Sequence, residues 1–185
     1  TRVDTAISGN THAALALRDN LLNRGQIEAA YIAAIAEARE KVTLAMAYFI
    51  PSRAILHALF DAADRGVTIN LLLQGRVEYR LQHYASQSLY TRLLSAGIRI
   101  FEYEPGFMHA KVGVIDHQWA TVGSANLDPF SLLVAREANV LIFDAAFCAT
   151  LEQKLLLEIK HHSREITAII WARRSGWHRL LRTLS

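Results

Sequence analysis

The chain is predicted to fold as an α/β sandwich, with a mixed β-sheet flanked by helices on both faces. Three observations predict it. Strand-length apolar runs alternate with segments of helical periodicity from residue 26 to residue 161. Proline or glycine stops several of them, at Pro51, Gly66 and Gly97. A polar break, Asp116-His117-Gln118, separates two β-branched or aromatic runs and makes a hairpin, so antiparallel strands join the sheet.

In order, residues 1–25 hold Gly9, Asn10, Asn20, Asn23 and Gly25 and read as strand and loop. Gln26 to Lys41 places Ile27, Ala30, Tyr31, Ala34, Ile35 and Ala38 on one helical face. Val42 to Ile50 is an unbroken apolar run suited to a buried strand. Ser52 can cap a helix through Arg65, with Ile55, Leu56, Leu59, Phe60 and Ala63 inward and Gly66 closing it. Val67 to Leu73 follows as a strand, Leu81 to Ala96 as one helix, and Ile98 to Tyr103 as another strand. After the hairpin come a strand near Ala138 to Phe143 and a helix near Ala145 to His161.

At 185 residues, 52% hydrophobic and 20% charged, the chain fits one globular core spanning residues 1–160 and a distinct tail, 161–185. Its one cysteine, Cys148, excludes an intrachain disulfide and reads as a small buried hydrophobe. No CxxC or HExxH spacing occurs, and neither a metal nor a cofactor is expected. No uncharged apolar run approaches a membrane span of about eighteen residues. The net charge of +3 is uneven: residues 160–185 hold six Lys/Arg and one acid, whereas the rest carries a net −2. The body therefore lacks the bulk positive charge of a nucleic-acid surface. In the tail, Ile166, Ile169, Ile170, Trp177, Leu180, Leu181 and Leu184 approximate an apolar helical stripe among arginines, with Trp171 nearby. Two readings stand equal there: a basic helix lying on a membrane surface, or a helix packed onto the protein.

Residues 109–126 carry the chemistry. His109, Lys111, Asp116, Gly123, Ser124 and Asn126 are spaced H-x-K-x4-D-x6-G-S-x-N. Folding the hairpin about its break sets Lys111 opposite Ser124 and His109 opposite Asn126. Residues two apart share a strand face, so these four converge at the open end. An imidazole can attack or carry a proton near neutral pH, and an ammonium, an amide NH2 and a hydroxyl suit phosphoryl oxygens. No carboxylate is expected in direct contact with this cluster. Asp116, five residues from Lys111 or roughly 16 Å along a strand, has the opposite parity and is expected to be structural.

This spacing resembles the signature of the phospholipase D superfamily, and further runs resemble its bacterial cardiolipin synthase branch. They are Ala47-Tyr48-Phe49-Ile50-Pro51, Arg65-Gly66-Val67, Ala96-Gly97-Ile98, Phe101-Glu102-Tyr103 and Asn126-Leu127-Asp128-Pro129-Phe130-Ser131, then Glu137. Leu73-Gln74-Gly75-Arg76-Val77-Glu78-Tyr79, with His83-Tyr84, is similar to the shorter cardiolipin synthases without N-terminal spans. Members use two such motifs, one histidine from each, and this sequence holds only the one at His109. The resemblance therefore implies the second-half domain of a two-motif enzyme, its partner motif coming in cis or from a homodimer. An isolated monomer is expected to be inactive.

The implied activity is phosphatidyl transfer, making cardiolipin from phosphatidylglycerol through a phosphohistidine, at the cytoplasmic face of a bacterial inner membrane with peripheral contact through 163–185. The resemblance makes His109 one of the paired histidines and the acid/base if this is a second half. It makes Lys111 and Asn126 the binders of non-bridging oxygens, Ser124 a positioner of the phosphate, and Glu137 the partner of a catalytic histidine. Asp116 belongs to the motif by name. Two alternatives remain: a metal-independent phosphodiesterase or nuclease acting as a homodimer, against which the acidic body argues, and a catalytically incomplete lipid-binding fragment.

Overall fold

The computed structural model describes residues 11–19 and 22–174. The apolar run after Glu40 is β2 (Lys41–Met46), and it sits inside the sheet. β3 (Thr68–Gln74) pairs with it in parallel on one side and β5 (Lys111–Ile115) antiparallel on the other. β4 (Arg99–Tyr103) extends the parallel side, and β8 (Ser163–Ile166) closes that edge antiparallel. Beyond β5 lie β6 (Trp119–Gly123), β7 (Glu137–Ile142) and β1 (Ala13–Arg18), all antiparallel. The order is β1-β7-β6-β5-β2-β3-β4-β8, a mixed sheet.

Val42 to Met46 are all buried because alternate side chains enter two different cores. Leu44 and Met46 meet Ile27, Tyr31 and Ile35 of α1 (Gln26–Glu37), Ile55 and Leu59 of α2 (Arg53–Asp64), and Leu93 of α4 (Tyr90–Ser95). Ala45, with Leu72, Phe101 and Val114, meets Cys148 and Leu155 of α6 (Ala145–His162) on the opposite face. Helices thus cover both faces, as the sequence predicts. Burying each large side chain contributes about 1.5–3 kcal/mol, so these two cores dominate the cohesion of the fold. The Ser52 side chain caps α2, accepting from the Ile55 N–H at 3.3 Å. Gly66 and Gly97, at φ 88° and 77°, supply the left-handed residues after α2 and α4.

Two expectations need correction. The single helix from Leu81 to Ala96 is two, α3 (Arg80–Gln87) and α4, separated at Ser88 and Leu89. The Ser88 hydroxyl donates to the Ala85 carbonyl at 2.6 Å, an alternative backbone bond of the kind that competes with helix continuation. The tail does not begin as a helix either: α6 runs to His162 and β8 follows before residues 168–174 turn helical.

That helical turn is fastened to the domain. Trp171 Nε1 donates to Thr91 Oγ1 at 2.9 Å, and its ring lies 5.0 Å from Tyr90. Arg174 and Arg164 reach the Glu102 carboxylate at 2.9 and 3.5 Å. The remainder of the expected amphipathic stripe, 175–185, lies outside the described residues. At the other end of the sheet, Leu15, Val140 and Val122 face one another across β1, β7 and β6 and stay 62%, 41% and 38% exposed. Among the described residues, that row of sheet has no apolar cover.

Candidate active site

The β5–β6 hairpin turns on three residues. Asp116 and His117 take positive φ, 50° and 54°, and Gln118 N–H closes the turn on the Ile115 carbonyl at 3.0 Å. This turn pairs Val112 with Val122 and Ile115 with Trp119. The register is one residue away from the expected one, because an odd-numbered loop centres the hairpin on His117. Continued outward, it sets Lys111 beside Gly123 and not Ser124, and Gly123 in turn pairs with Asn139 of β7.

Asp116 sits at the closed end, away from the other motif residues. Its carboxylate accepts from the backbone N–H groups of Arg39, Glu40 and Lys41 at 2.7, 3.0 and 2.7 Å. Partial burial pushes its pKa up, but these three bonds outweigh that and hold it below the ordinary carboxylate value.

At the open end, Lys111 is 6% exposed, and its Nζ donates to the His109 carbonyl at 3.1 Å. Burial lowers its pKa, while the carboxylates of Glu137, Asp128 and Glu78 pull the other way. His109 itself is exposed, just before β5. Ala47 N–H donates to the Ala110 carbonyl at 3.0 Å, so the chain leaving β2 runs alongside the chain entering β5. The next residue, Tyr48, donates its N–H to Asn126 Oδ1 at 3.4 Å. Asn126 is buried, its amide oxygen is thereby engaged, and its NH2 remains as the donor end. The structure thus gathers His109, Lys111 and Asn126 around the ends of β2 and β5.

Ser124 and Glu137 form the second part of the site, and they correct one expectation. A carboxylate does stand in direct contact: the Ser124 hydroxyl donates to Glu137 Oε2 in a short hydrogen bond. Ser124 Oγ also accepts from Ala138 N–H at 3.1 Å, so the serine is held against the start of β7. Glu137 is half-buried, and it shares a strand face with Asn139.

Asn139 was not legible as a site residue. Fully buried, it donates Nδ2 to Thr121 Oγ1 at 3.0 Å and accepts on Oδ1 from Ala125 N–H at 3.3 Å. It thereby pins the turn that carries Ser124 and Asn126. Its side chain crosses directly over Gly123, where a Cβ would lie 2.2 Å from Asn139 Oδ1. That contact, with the Ala138 carbonyl oxygen 2.5 Å from the same point, is the physical reason for the glycine in the motif. A lone amide in the apolar run Ala138 to Phe143 was the signal available in the sequence.

The rim adds further residues. Tyr48 OH donates to Glu78 Oε2 at 2.7 Å, and burial followed by this carboxylate keeps the phenol protonated well above its usual range. Asp128 caps α5 (Pro129–Leu133), accepting from Ser131 N–H at 2.9 Å. Arg76 donates Nε to the Glu104 carbonyl at 3.0 Å. An open hollow beside Asn126 is lined by Tyr48, Tyr79, Asp128 and Phe130. Among the described residues, no three His, Cys, Asp or Glu side chains are grouped to hold a metal ion, and no helix is long and apolar enough to cross a membrane.

A mixed eight-stranded sheet with these donors at the ends of two central strands defines a phospholipase D-like domain. The family model described as "Cardiolipin synthase, PLD-like domain" matches residues 31–157, and the chain belongs to that family. It is 39% identical over 170 residues to cardiolipin synthase B of Escherichia coli K12, covering 92% of this chain and 41% of that protein. The chain therefore spans less than half the length of this relative. Among solved structures, Nuc of Salmonella typhimurium, a phospholipase D family member, superposes with a TM-score of 0.72 at 17% identity, covering 86% of this chain and 100% of that one. Phosphatidylserine synthase of Haemophilus influenzae gives 0.67 at 12% identity, covering 92% and 46%. At these identities the two structures speak for the fold.

Proposed function

We propose that this domain supplies one half of a phosphatidyltransferase site that makes cardiolipin from phosphatidylglycerol. One observation carries the reading: exposed His109 stands beside two fixed donors, the buried Lys111 ammonium and the Asn126 amide, with the Glu137 carboxylate close by. Donors aimed at phosphoryl oxygens stabilise the charge of a pentacoordinate transition state. Membership in the cardiolipin synthase family supports the choice of lipid.

In this reading a histidine of the second motif attacks phosphorus. A P–N bond forms, the P–O bond to the departing glycerol breaks, and His109 protonates that oxygen. His109, now neutral, takes the proton of the incoming hydroxyl, whose oxygen displaces the histidine. Glu137, held by Ser124, orients a catalytic imidazole and favours its cationic form. Asp116 serves the fold. The second motif comes from further chain or from a second copy, and the bare row of Leu15, Val122 and Val140 is suited to burial by such a partner. Without it the lone domain is inactive. Association with the membrane is peripheral, at the cytoplasmic face.

One other reading is a metal-independent phosphodiesterase working as a homodimer, which the fold shared with Nuc fits only in part. The full-length gene product and this chain alone, each given labelled phosphatidylglycerol or single-stranded DNA in excess chelator, separate the two. Cardiolipin formed by the full-length product alone supports transfer. DNA cleavage by a dimer of this chain overturns it.

A further inference from the structure

Gln74, the last residue of β3, is 5% exposed, and its two amide ends behave differently. Oε1 accepts from the Met108 N–H at 2.9 Å, which fixes the residue before His109. Nε2 has no hydrogen-bond partner among the described residues. A buried donor left unpaired is destabilising, so a hydroxyl or water bound there would relieve it.

Gln74 lines a cleft between the sheet end and α3, together with Tyr48, Glu78, His83 and Ser86. The free space within it, about 10 Å³, matches a single hydroxyl or water. Tyr48 is the dividing wall, because it also lines the open hollow beside Asn126. The cleft thus begins one side chain from the phosphoryl donors. Its lining of amide, hydroxyl, phenol and imidazole both gives and accepts hydrogen bonds, and Arg76 and Glu78 offset each other in charge. Burial also lowers the pKa of His83, which favours a neutral imidazole there. Such a lining suits an uncharged hydroxyl better than a second phosphate.

We infer that this cleft is the acceptor subsite, in which Gln74 Nε2 donates to the non-reacting hydroxyl of a polyol headgroup while its neighbouring hydroxyl meets phosphorus. The inference rests on the phosphatidyl-transfer reading above. Such a subsite would make one site prefer a glycerol headgroup over a monohydroxy alcohol or water. A site built to bond a hydroxyl discriminates strongly against a substrate that lacks it.

The test uses the full-length gene product, vesicles of labelled phosphatidylglycerol, and n-propanol as a competing acceptor. The ratio of cardiolipin to phosphatidylpropanol is the readout. Gln74→Glu keeps an oxygen for Met108 but removes the NH2 donor; Ser86→Val narrows the cleft and leaves Met108 held. Each is expected to lower the ratio about tenfold, the effect of losing roughly one hydrogen bond to the substrate. Thermal unfolding checks that each variant folds, and Ser86→Val decides if Gln74→Glu does not. An unchanged ratio overturns the subsite and leaves the cleft a resident water only. Absence of any phosphatidyl transfer by the unaltered protein overturns the reading beneath it, and the subsite with it.

Discussion

Asp116 and Lys41 bind each other twice. The Asp116 N–H donates to the Lys41 carbonyl at 3.0 Å, and the Asp116 carboxylate accepts from the Lys41 N–H at 2.7 Å. Together with Arg39 and Glu40, this pair ties the tip of the β5–β6 hairpin to the start of β2. A residue that belongs by name to the catalytic motif stands at the end of the hairpin remote from Lys111.

Asp116→Asn removes the charge from three backbone hydrogen bonds and is expected to cost about 1–3 kcal/mol in urea unfolding, with kcat nearly unchanged. A loss of kcat comparable to that of Lys111→Ala, with the fold intact, would refute the structural role. The pH dependence has a definite sign. The folded pKa is depressed, so the stabilisation is complete above the unfolded value of about 3.9 and is lost as pH falls through the folded pKa. The gap between wild type and Asp116→Asn should close in that acid range.

Lys111→Met should separate activity from stability. The ammonium is buried at a cost, and methionine of similar length removes the cost along with the charge. Turnover is expected to fall about 10²–10³-fold while the melting temperature holds or rises. Because the folded pKa lies below the unfolded one, wild-type stability should climb as pH rises from the folded value toward about 10.4, and the Met variant should lack that climb.

Gly123→Ala drives a methyl into the Asn139 amide and is expected to destabilise by about 1–3 kcal/mol. Combining it with Asn139→Ala removes the side-chain part of the collision, while the Ala138 carbonyl oxygen, 2.5 Å from the new Cβ, remains. A double-mutant cycle should therefore show coupling of about 1 kcal/mol or more, and simple additivity would count against this packing account.

Glu102 is 2% exposed and is met by Arg174, Arg164, Tyr90 and Gln87. Arg174→Ala leaves a buried carboxylate with less compensation and should cost up to about 3 kcal/mol. Adding Glu102→Gln should recover part of that loss. Hydrogen exchange at residues 168–174 would report release of the Trp171 turn.

Layers and strands were legible because burial on two faces leaves continuous apolar runs such as Val42 to Ile50, and the hairpin because Asp116-His117-Gln118 interrupts two of them. Its register was not. One residue of slip separates a three-residue turn from an even-numbered one, and only the positive φ at His117 as well as Asp116 settles it. That His109, Lys111 and Asn126 lie toward one end of the hairpin followed from strand spacing, but which of them face each other did not, because that depended on the register. Their supports did not follow from spacing either, because Tyr48, Asn139 and Gln74 reach the site through hydrogen bonds between residues 18 to 78 apart in sequence. The tail misled because its apolar stripe is helical in period, while Ser163 to Ile166 takes its structure from the open edge of β4. Tertiary pairing overrode local pattern there.

The Asp116 anchorage also makes the hairpin a lever. Roughly 16 Å separates it from Lys111, so a tilt of about 5° at the pivot swings the ammonium by about 1.4 Å. Misplacement of about 1 Å in a reacting site can cost on the order of 10² in rate. Asp116→Asn retains an acceptor oxygen and with it the pivot, so its turnover holds. A change that removes the acceptor altogether, such as Asp116→Ala, loosens the pivot and can register as a catalytic defect in a protein that is still folded. Aim, and not only cohesion, is what the far end of the hairpin controls.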